Sequence, residues 1–549
     1  MLDNAGAFNL VREAWIPVRR RSGRLQWIAP WQITETIDGD DPFVALAAPR
    51  PDFSGAITEF LIGLVTTAAA PADDAAWRQL GTEPPTPENL RARFEAVASA
   101  FVLDGLGPRF LQDFDAEFEG EERSVAALLI DAPGDNALRK NTDHFVKRGG
   151  APALSRAAAA MALYALQTYA PSGGQGHRTS LRGGGPLTTL AVLGDRLWDR
   201  IWPNVETQEQ LAMRQVEGPH EGPGDIFPWM APTRVSDKSG RATTAADAHP
   251  LQAYWGMPRR IRLVFSPAEG ERCALTNRED PVLVRALRTR NFGVNYAEGW
   301  THPLSPHYRQ KTGGPLLPVH GQTGGVSYRD WLGLAISDPE STRVPATCVR
   351  HVQTNPRLLR RRQRRLWVFG YDMDNMKARG WIDSEMPLLA QEHGEDLRYL
   401  ATAQVRAAEI AAFALTTAVK SALFERPSDA RGDFGFIAER FWRETEQAFF
   451  ANLNALLQTL EGADADDPAA PLRRDWRHRI ERSALAVFDS LVSQDGLENA
   501  AMKRLVGARF GLVLALRGLS KQGRKLFEHL SLPLRATKKP RKPKRETAA

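Results

Sequence analysis

The spacing of hydrophobic positions changes twice along the chain. From Phe8 to Ile33 the apolar residues come in short runs: Phe8-Asn9-Leu10-Val11, Trp15-Ile16-Pro17-Val18 and Leu25 to Ile33, parted by Arg21-Ser22-Gly23. Short runs with a Ser-Gly break predict strand, turn, strand, so a β-hairpin opens the fold. The spacing then turns helical. Ile57, Phe60, Leu61, Leu64 and Val65 share a face behind Ser54 as N-cap, and Leu90, Phe94, Val97 and Phe101 share another behind Thr86 and Pro87. An alanine-rich helix between Ala153 and Tyr169 stops at Pro171. Residues 190–390 mix strand-like runs such as Arg260 to Phe265 with Gly and Pro turns, and their pattern leaves the secondary structure open.

From Asp396 the pattern becomes long and amphipathic. Val405, Ala408, Ala412, Leu415, Val419 and Leu423 form one stripe, and Ile437, Phe441, Ala448, Leu453, Leu456 and Leu460 a second. Trp476, Ile480, Ala484, Val487 and Leu491 form a third, and Leu505, Val506, Leu512, Val513 and Leu516 a fourth. Short breaks between four such helices predict an antiparallel bundle. The fold class is therefore α+β: a mixed N-terminal domain (1–394) opening with a β-hairpin, a four-helix bundle (395–530) and a basic tail (531–549) expected to be disordered.

Composition removes several classes. With 43% hydrophobic and 25% charged residues the chain can build a core and is neither disordered nor fibrous. The apolar stretch Phe60 to Ala70 follows Glu59 and ends at Pro71, too short for a bilayer, and no basic region with an apolar run stands at the N-terminus. A cytoplasmic protein is expected. Cys273 and Cys348 suit neither a disulfide framework nor a metal knuckle. The net charge of +6 is local. Arg535, Lys538, Lys539, Arg541, Lys542, Lys544 and Arg545 against Glu546 account for all of it, so the body is neutral and must meet polyanions through patches. The tail itself is either a solvated charge run or an aid to nucleic-acid binding.

The search for reacting groups finds little. There is no phosphate loop, no His-Glu-x-x-His, no EF-hand loop and no nucleophile elbow. His302 and His307 lie in a Pro-rich stretch and Asp464, Asp466 and Asp467 in an inter-helix linker; neither group has convincing metal spacing. Three basic or glycine-rich segments are more informative. The segment Ala170 to Pro186 holds six glycines, with Arg178 and Arg182 among them. Absent side chains let backbone N–H groups approach a phosphate or a groove floor, although a plain flexible turn reads equally well. Arg285, Arg288 and Arg290 alternate with apolar residues, and Arg357, Arg360, Arg361, Arg362, Arg364 and Arg365 fall within nine positions. The guanidinium fork suits phosphate; a solvated surface is the alternative.

Four stretches in order carry a resemblance: Phe8-Asn9-Leu10-Val11-Arg12-Glu13-Ala14-Trp15-Ile16-Pro17-Val18; Phe145-Val146-Lys147; Leu181-Arg182-Gly183-Gly184-Gly185-Pro186-Leu187-Thr188-Thr189; and Gly299-Trp300-Thr301-His302-Pro303 with Ser305-Pro306. The chain resembles the CasA family, the large subunit of the type I-E CRISPR Cascade complex. The resemblance implies a non-catalytic subunit with crRNA and other Cascade subunits as partners. It would read the protospacer-adjacent motif (PAM) in double-stranded DNA, help open the duplex and help recruit a helicase-nuclease. It implies PAM contact at Gly173, Gly174, Gln175 and Gly176, where Gln175 interrupts the family's glycine run, and at Arg290 in place of a lysine. The crRNA-handle loop falls on Phe145, Val146 and Lys147, flanked by Asn141, His144 and Arg148. The strand-separating wedge falls near Val349, Arg350 and His351, where the family's glutamine is missing and Gln353 lies just beyond. No metal and no cofactor is implied. A stand-alone nuclease and another kind of RNA-binding scaffold are the competing classes.

Overall fold

The computed structural model describes residues 6–534 apart from 116, 142, 144–147, 175, 219, 239, 298, 312, 338–341, 356–357, 359–363, 375–376, 390–393, 461–466, 468 and 493–498. The chain divides into two compact units, residues 1–326 with 333–391, and residues 327–332 with 392–549.

In the first unit the expected hairpin forms: Ile16–Arg20 pairs antiparallel with Leu25–Ile28 across a turn at Gly23, and Phe43–Leu46 adds to its other edge. The helix Pro51–Ala69 runs through the core, buried along most of its length. It starts earlier than Ser54 suggested, because Pro51 occupies the first turn, where a missing N–H costs nothing. Thr86 does cap Pro87–Glu95, accepting from the Asn89 N–H at 3.2 Å. Phe60 sits at the centre of an aromatic cluster, edge-on to Trp15, Phe101, Phe110, Tyr164 and Trp255 at 5.2–5.9 Å between centroids. The alanines of Arg156–Tyr169 let that helix lie alongside Pro51–Ala69.

The middle of the chain, where pattern was indecisive, forms small antiparallel sheets. Val282–Arg290 pairs with Arg260–Pro267 on one edge and with Glu121–Ser124 and Leu154–Ser155 on the other. Arg365–Asp374 pairs with Lys377–Pro387 and with Thr188–Val192, and His307–Arg309 lies between Leu316–Pro318 and Arg343–Val344. A buried ion pair ties helix to sheet: Glu59 accepts from Arg182 at 2.7 Å, from Thr188 at 2.6 Å and from Tyr169 at 2.9 Å.

In the second unit the four expected helices are Gly394–Leu423, Gly435–Leu460, Ala470–Leu491 and Asn499–Leu516. A fifth, Lys521–His529, follows, capped by the Ser520 hydroxyl, which accepts from Gly523 at 3.0 Å. Residues 327–332 also belong here: Tyr328 stacks on Phe449 at 4.4 Å and hydrogen-bonds Thr445 at 2.8 Å. Inside the bundle, the Gln404 side chain donates to Asn452 at 2.7 Å and its main-chain carbonyl accepts from Trp476 Nε1 at 3.1 Å. Among the described residues no helix is long and apolar enough to cross a membrane.

Candidate nucleic-acid interface

The glycine loop begins where Pro171 ends Arg156–Tyr169. It folds back on itself through Gly173 N–H to His177 carbonyl and His177 N–H to Gly174 carbonyl, both 3.2 Å. Gly174 (φ +96°) and Gly176 (φ +78°) adopt the left-handed region that favours glycine. Gly173 and Gly174 are exposed, and a Cβ on Gly174 would meet nothing within 4 Å. Gly176, by contrast, is pressed against Asn291, whose Cβ would lie 2.7 Å from one added there. Its carbonyl accepts from the Phe292 N–H at 2.7 Å. Phe292 itself holds φ +64°, a costly conformation for a bulky residue, fixed on its other side by the Ser236 N–H donating to its carbonyl at 3.1 Å. Arg178 donates to the Ser236 hydroxyl and carbonyl at 2.8 and 2.7 Å, completing the rivet. The loop is thereby fastened to the end of Val282–Arg290, two residues past Arg290. Gly173, Gly174, Gly176 and Arg290 thus belong to one locality; Gln175 lies outside the described residues.

The arginines divide by their partners. Arg285 pairs with Glu271 at 2.6 Å and Arg288 with Glu122 at 3.5 Å. Arg290, on the same strand, is exposed and has no carboxylate partner among the described residues; its guanidinium lies 5.6 Å from the Phe118 ring. Arg182 is buried against Glu59, so it braces the core and is not available to phosphate, contrary to the expectation from its place beside the glycines. Arg365 lies in a strand and pairs with Glu385 at 2.8 Å, while Arg357 and Arg360 to Arg362 lie outside the described residues. Sequence reasoning missed Arg259. Its Nη2 donates to the Pro171 carbonyl, and burial pushes its pKa down to about 10. The only signal was its place just ahead of a strand leading to the same sheet edge.

The residues expected to form the wedge lie on a helix. Val349, Arg350 and His351 lie on the helix Thr347–Gln353, where Val349 is fully buried and His351 stacks on Trp77 at 4.0 Å with Nε2 2.7 Å from Asp74. Burial lowers the His351 pKa, with Asp74 opposing. Gln353 is buried too, donating to the Ala335 carbonyl at 2.7 Å. Val349 and His351 are thus turned into the protein, and Arg350 alone of the three is exposed. Phe145, Val146 and Lys147, with His144, lie outside the described residues. On their flank Arg148 donates to Asp143 at 2.6 Å and to Asn141 at 2.9 Å.

Burial lowers the pKa of His302 well below its ordinary value and that of His307 to about 4, so both are neutral core imidazoles. Among the described residues no cluster of three His, Cys, Asp or Glu side chains could hold a metal, and Cys273 and Cys348 are buried free thiols.

The fold is that of the large subunits of CRISPR complexes. Thermobifida fusca Cse1 matches with a TM-score of 0.69 at 18% identity, covering 96% of this chain and 99% of that one. Thermus thermophilus CasA (Cse1) matches at 0.64 and 18%, covering 92% and 98%. A chain of a structure described as a CRISPR RNA-guided surveillance complex matches at 0.65 and 17%, covering 92% and 99%. The family model of the CRISPR-associated protein Cse1 matches residues 9–487, and the chain belongs to that family, the CasA family that the sequence resembled.

Proposed function

We propose that this chain is the non-catalytic DNA-reading subunit of a crRNA-guided surveillance complex. It recognises a PAM in duplex DNA through Gly173, Gly174, Gln175, Gly176 and Arg290, helps open the duplex for guide pairing and helps recruit a helicase-nuclease. Its partners are crRNA, bound through Phe145, Val146 and Lys147, the other subunits of the complex and target DNA. The observation carrying this reading is the Phe292 N–H to Gly176 carbonyl bond, which seats an exposed glycine loop at the end of the strand bearing an arginine that has no counter-ion among the described residues. Backbone without side chains, set beside an exposed arginine, suits a groove floor between phosphates.

The test is a PAM-library binding assay on the assembled complex. Arg290→Ala should weaken binding to every duplex and narrow the difference between motifs; unchanged motif preference and affinity would remove Arg290 from the reader. For strand opening, the wedge proposed at Val349, Arg350 and His351 would act through Arg350, the one of the three that is exposed. A wedge variant should recover on a target with a pre-opened bubble, and a glycine-loop variant should recover much less. Cleavage of a plasmid by this chain alone, abolished by one point mutation, would favour the nuclease class instead.

A further inference from the structure

Five arginines withdrawn from water in the first unit each meet a carboxylate: Arg50 with Asp52 and Asp131, Arg156 with Asp104 and Asp280, Arg182 with Glu59, Arg214 with Glu206, and Arg260 with Asp113. Arg259 does not. Its main chain closes two bonds with the Gln167 side chain, at 2.9 and 3.0 Å, and Nη2 donates to the Pro171 carbonyl. The Nε, shut off from solvent, has no hydrogen-bond partner among the described residues. Burial without a nearby anion disfavours the charge, yet a guanidinium stays protonated at neutral pH. A buried cation left uncompensated is costly, and groups kept in that condition concentrate where a ligand supplies the missing charge.

The surroundings say which way the charge opens. Gly173 lies directly over Nη1, so that a Cβ at Gly173 would collide with it. Gly173 and Gly174 are exposed, and the same loop is fastened through Gly176 to Phe292 beside Arg290. The missing side chain at Gly173 therefore leaves the place that Nη1 takes, directly under an exposed stretch of the loop that the function proposed above lays on the duplex.

We propose that Arg259 is a phosphate anchor beneath the glycine loop: beside Gly173 its guanidinium takes one backbone phosphate of the duplex read by Gly174, Gly176 and Arg290. The inference rests on that reading and adds to it a contact that carries no sequence information. A phosphate offers the counter-charge and the acceptors that the spare N–H groups lack. Holding one phosphate at a fixed place also sets the register in which the loop meets base edges.

The test uses the complex assembled with its crRNA and two duplexes, one with a matched target and PAM and one of scrambled sequence, titrated across salt. Arg259→Gln keeps a donor and removes the charge; Arg259→Lys keeps the charge. Loss of one phosphate contact lowers the slope of log affinity against log salt by about 0.9, so that the fall in affinity between about 50 and 200 mM salt becomes about 3.5-fold smaller. Arg259→Gln should show this on both duplexes and Arg259→Lys should retain the wild-type slope. Gly173→Ala, at a position without a positive φ, displaces Nη1 and should reproduce the Arg259→Gln slope if that variant does not assemble. An unchanged slope in Arg259→Gln, or equal loss in Arg259→Gln and Arg259→Lys, overturns the anchor. Gly174→Asp separates the two levels. If it abolishes binding while Arg259→Gln binds as wild type, only the anchor falls; if it binds normally, the loop does not face DNA and both fall.

Discussion

Replacing Gly174 with aspartate or asparagine isolates the electrostatics of the loop from its folding. Both side chains have one size, and both inherit the φ of +96°, which costs a non-glycine residue about 1–2 kcal/mol. Neither collides with the protein, since a Cβ at Gly174 has nothing within 4 Å. Against a typical domain stability of about 5–15 kcal/mol that strain is survivable, so both variants should fold and join the complex. They differ by one negative charge. If the loop lies on a groove, that charge sits about 5 Å from a phosphate, and at an effective dielectric of about 20 the repulsion is about 3 kcal/mol. Gly174→Asp should therefore bind a PAM-bearing duplex about 150-fold more weakly than Gly174→Asn at low salt. The ratio should shrink as salt rises. Fluorescence anisotropy with a labelled duplex at two salt concentrations measures both, with thermal unfolding as the folding control. A ratio under about threefold at low salt, less than ~0.7 kcal/mol, would mean that no phosphate comes near Gly174 and would refute the reasoning.

Glu59→Ala should destabilise the first unit by about 3–5 kcal/mol, because it strands the buried Arg182; a chemical-denaturation loss below ~1 kcal/mol would contradict the structure. Stability should fall as pH drops from about 6.5 toward 4. Burial, with Arg350 and Arg182 adding to it, lowers the His307 pKa to about 4, so the unfolded chain takes up the proton first; His307→Gln should flatten that slope in denaturation at pH 7 and pH 5. Truncation at Arg535 should lower non-specific DNA affinity and its salt dependence yet keep motif preference, as read by anisotropy on matched and scrambled duplexes. Alanine at both Phe145 and Lys147 should weaken assembly with the crRNA-bearing subunits in size-exclusion chromatography, through loss of stacking and phosphate contact.

Where one period of hydrophobic spacing dominated, the chain was legible. The hairpin at Ile16–Arg20 and the four long helices of the second unit follow from burial on one face, and the Thr86 cap from local chemistry. The helix start at Pro51 was missed because Ser54 looked like a cap, whereas proline in the first turn was the stronger signal. The helix Lys521–His529 escaped because it is nine residues long and contains Gly523. Residues 327–332 joined the second unit through Tyr328, a packing choice made more than a hundred residues away at Thr445 and Phe449, which no local pattern records.

The site separates what a motif can say from what it cannot. Arg182 and Arg290 are both arginines in segments that looked fit for phosphate, yet one is sealed against Glu59 and the other stands exposed with no counter-ion among the described residues. Sequence gives the side chain; only the fold gives its partner, and the partner decides whether the charge is already spent. The same rule sorts the wedge segment, where spacing pointed to 349–351 and burial of Val349 and His351 leaves Arg350 alone at the surface. It also explains why Arg259 was invisible in the sequence. Its significance lies in having no carboxylate partner among the described residues and in the side chain that Gly173 does not have, two absences eighty-six positions apart that the loop's fold-back at Pro171 brings together.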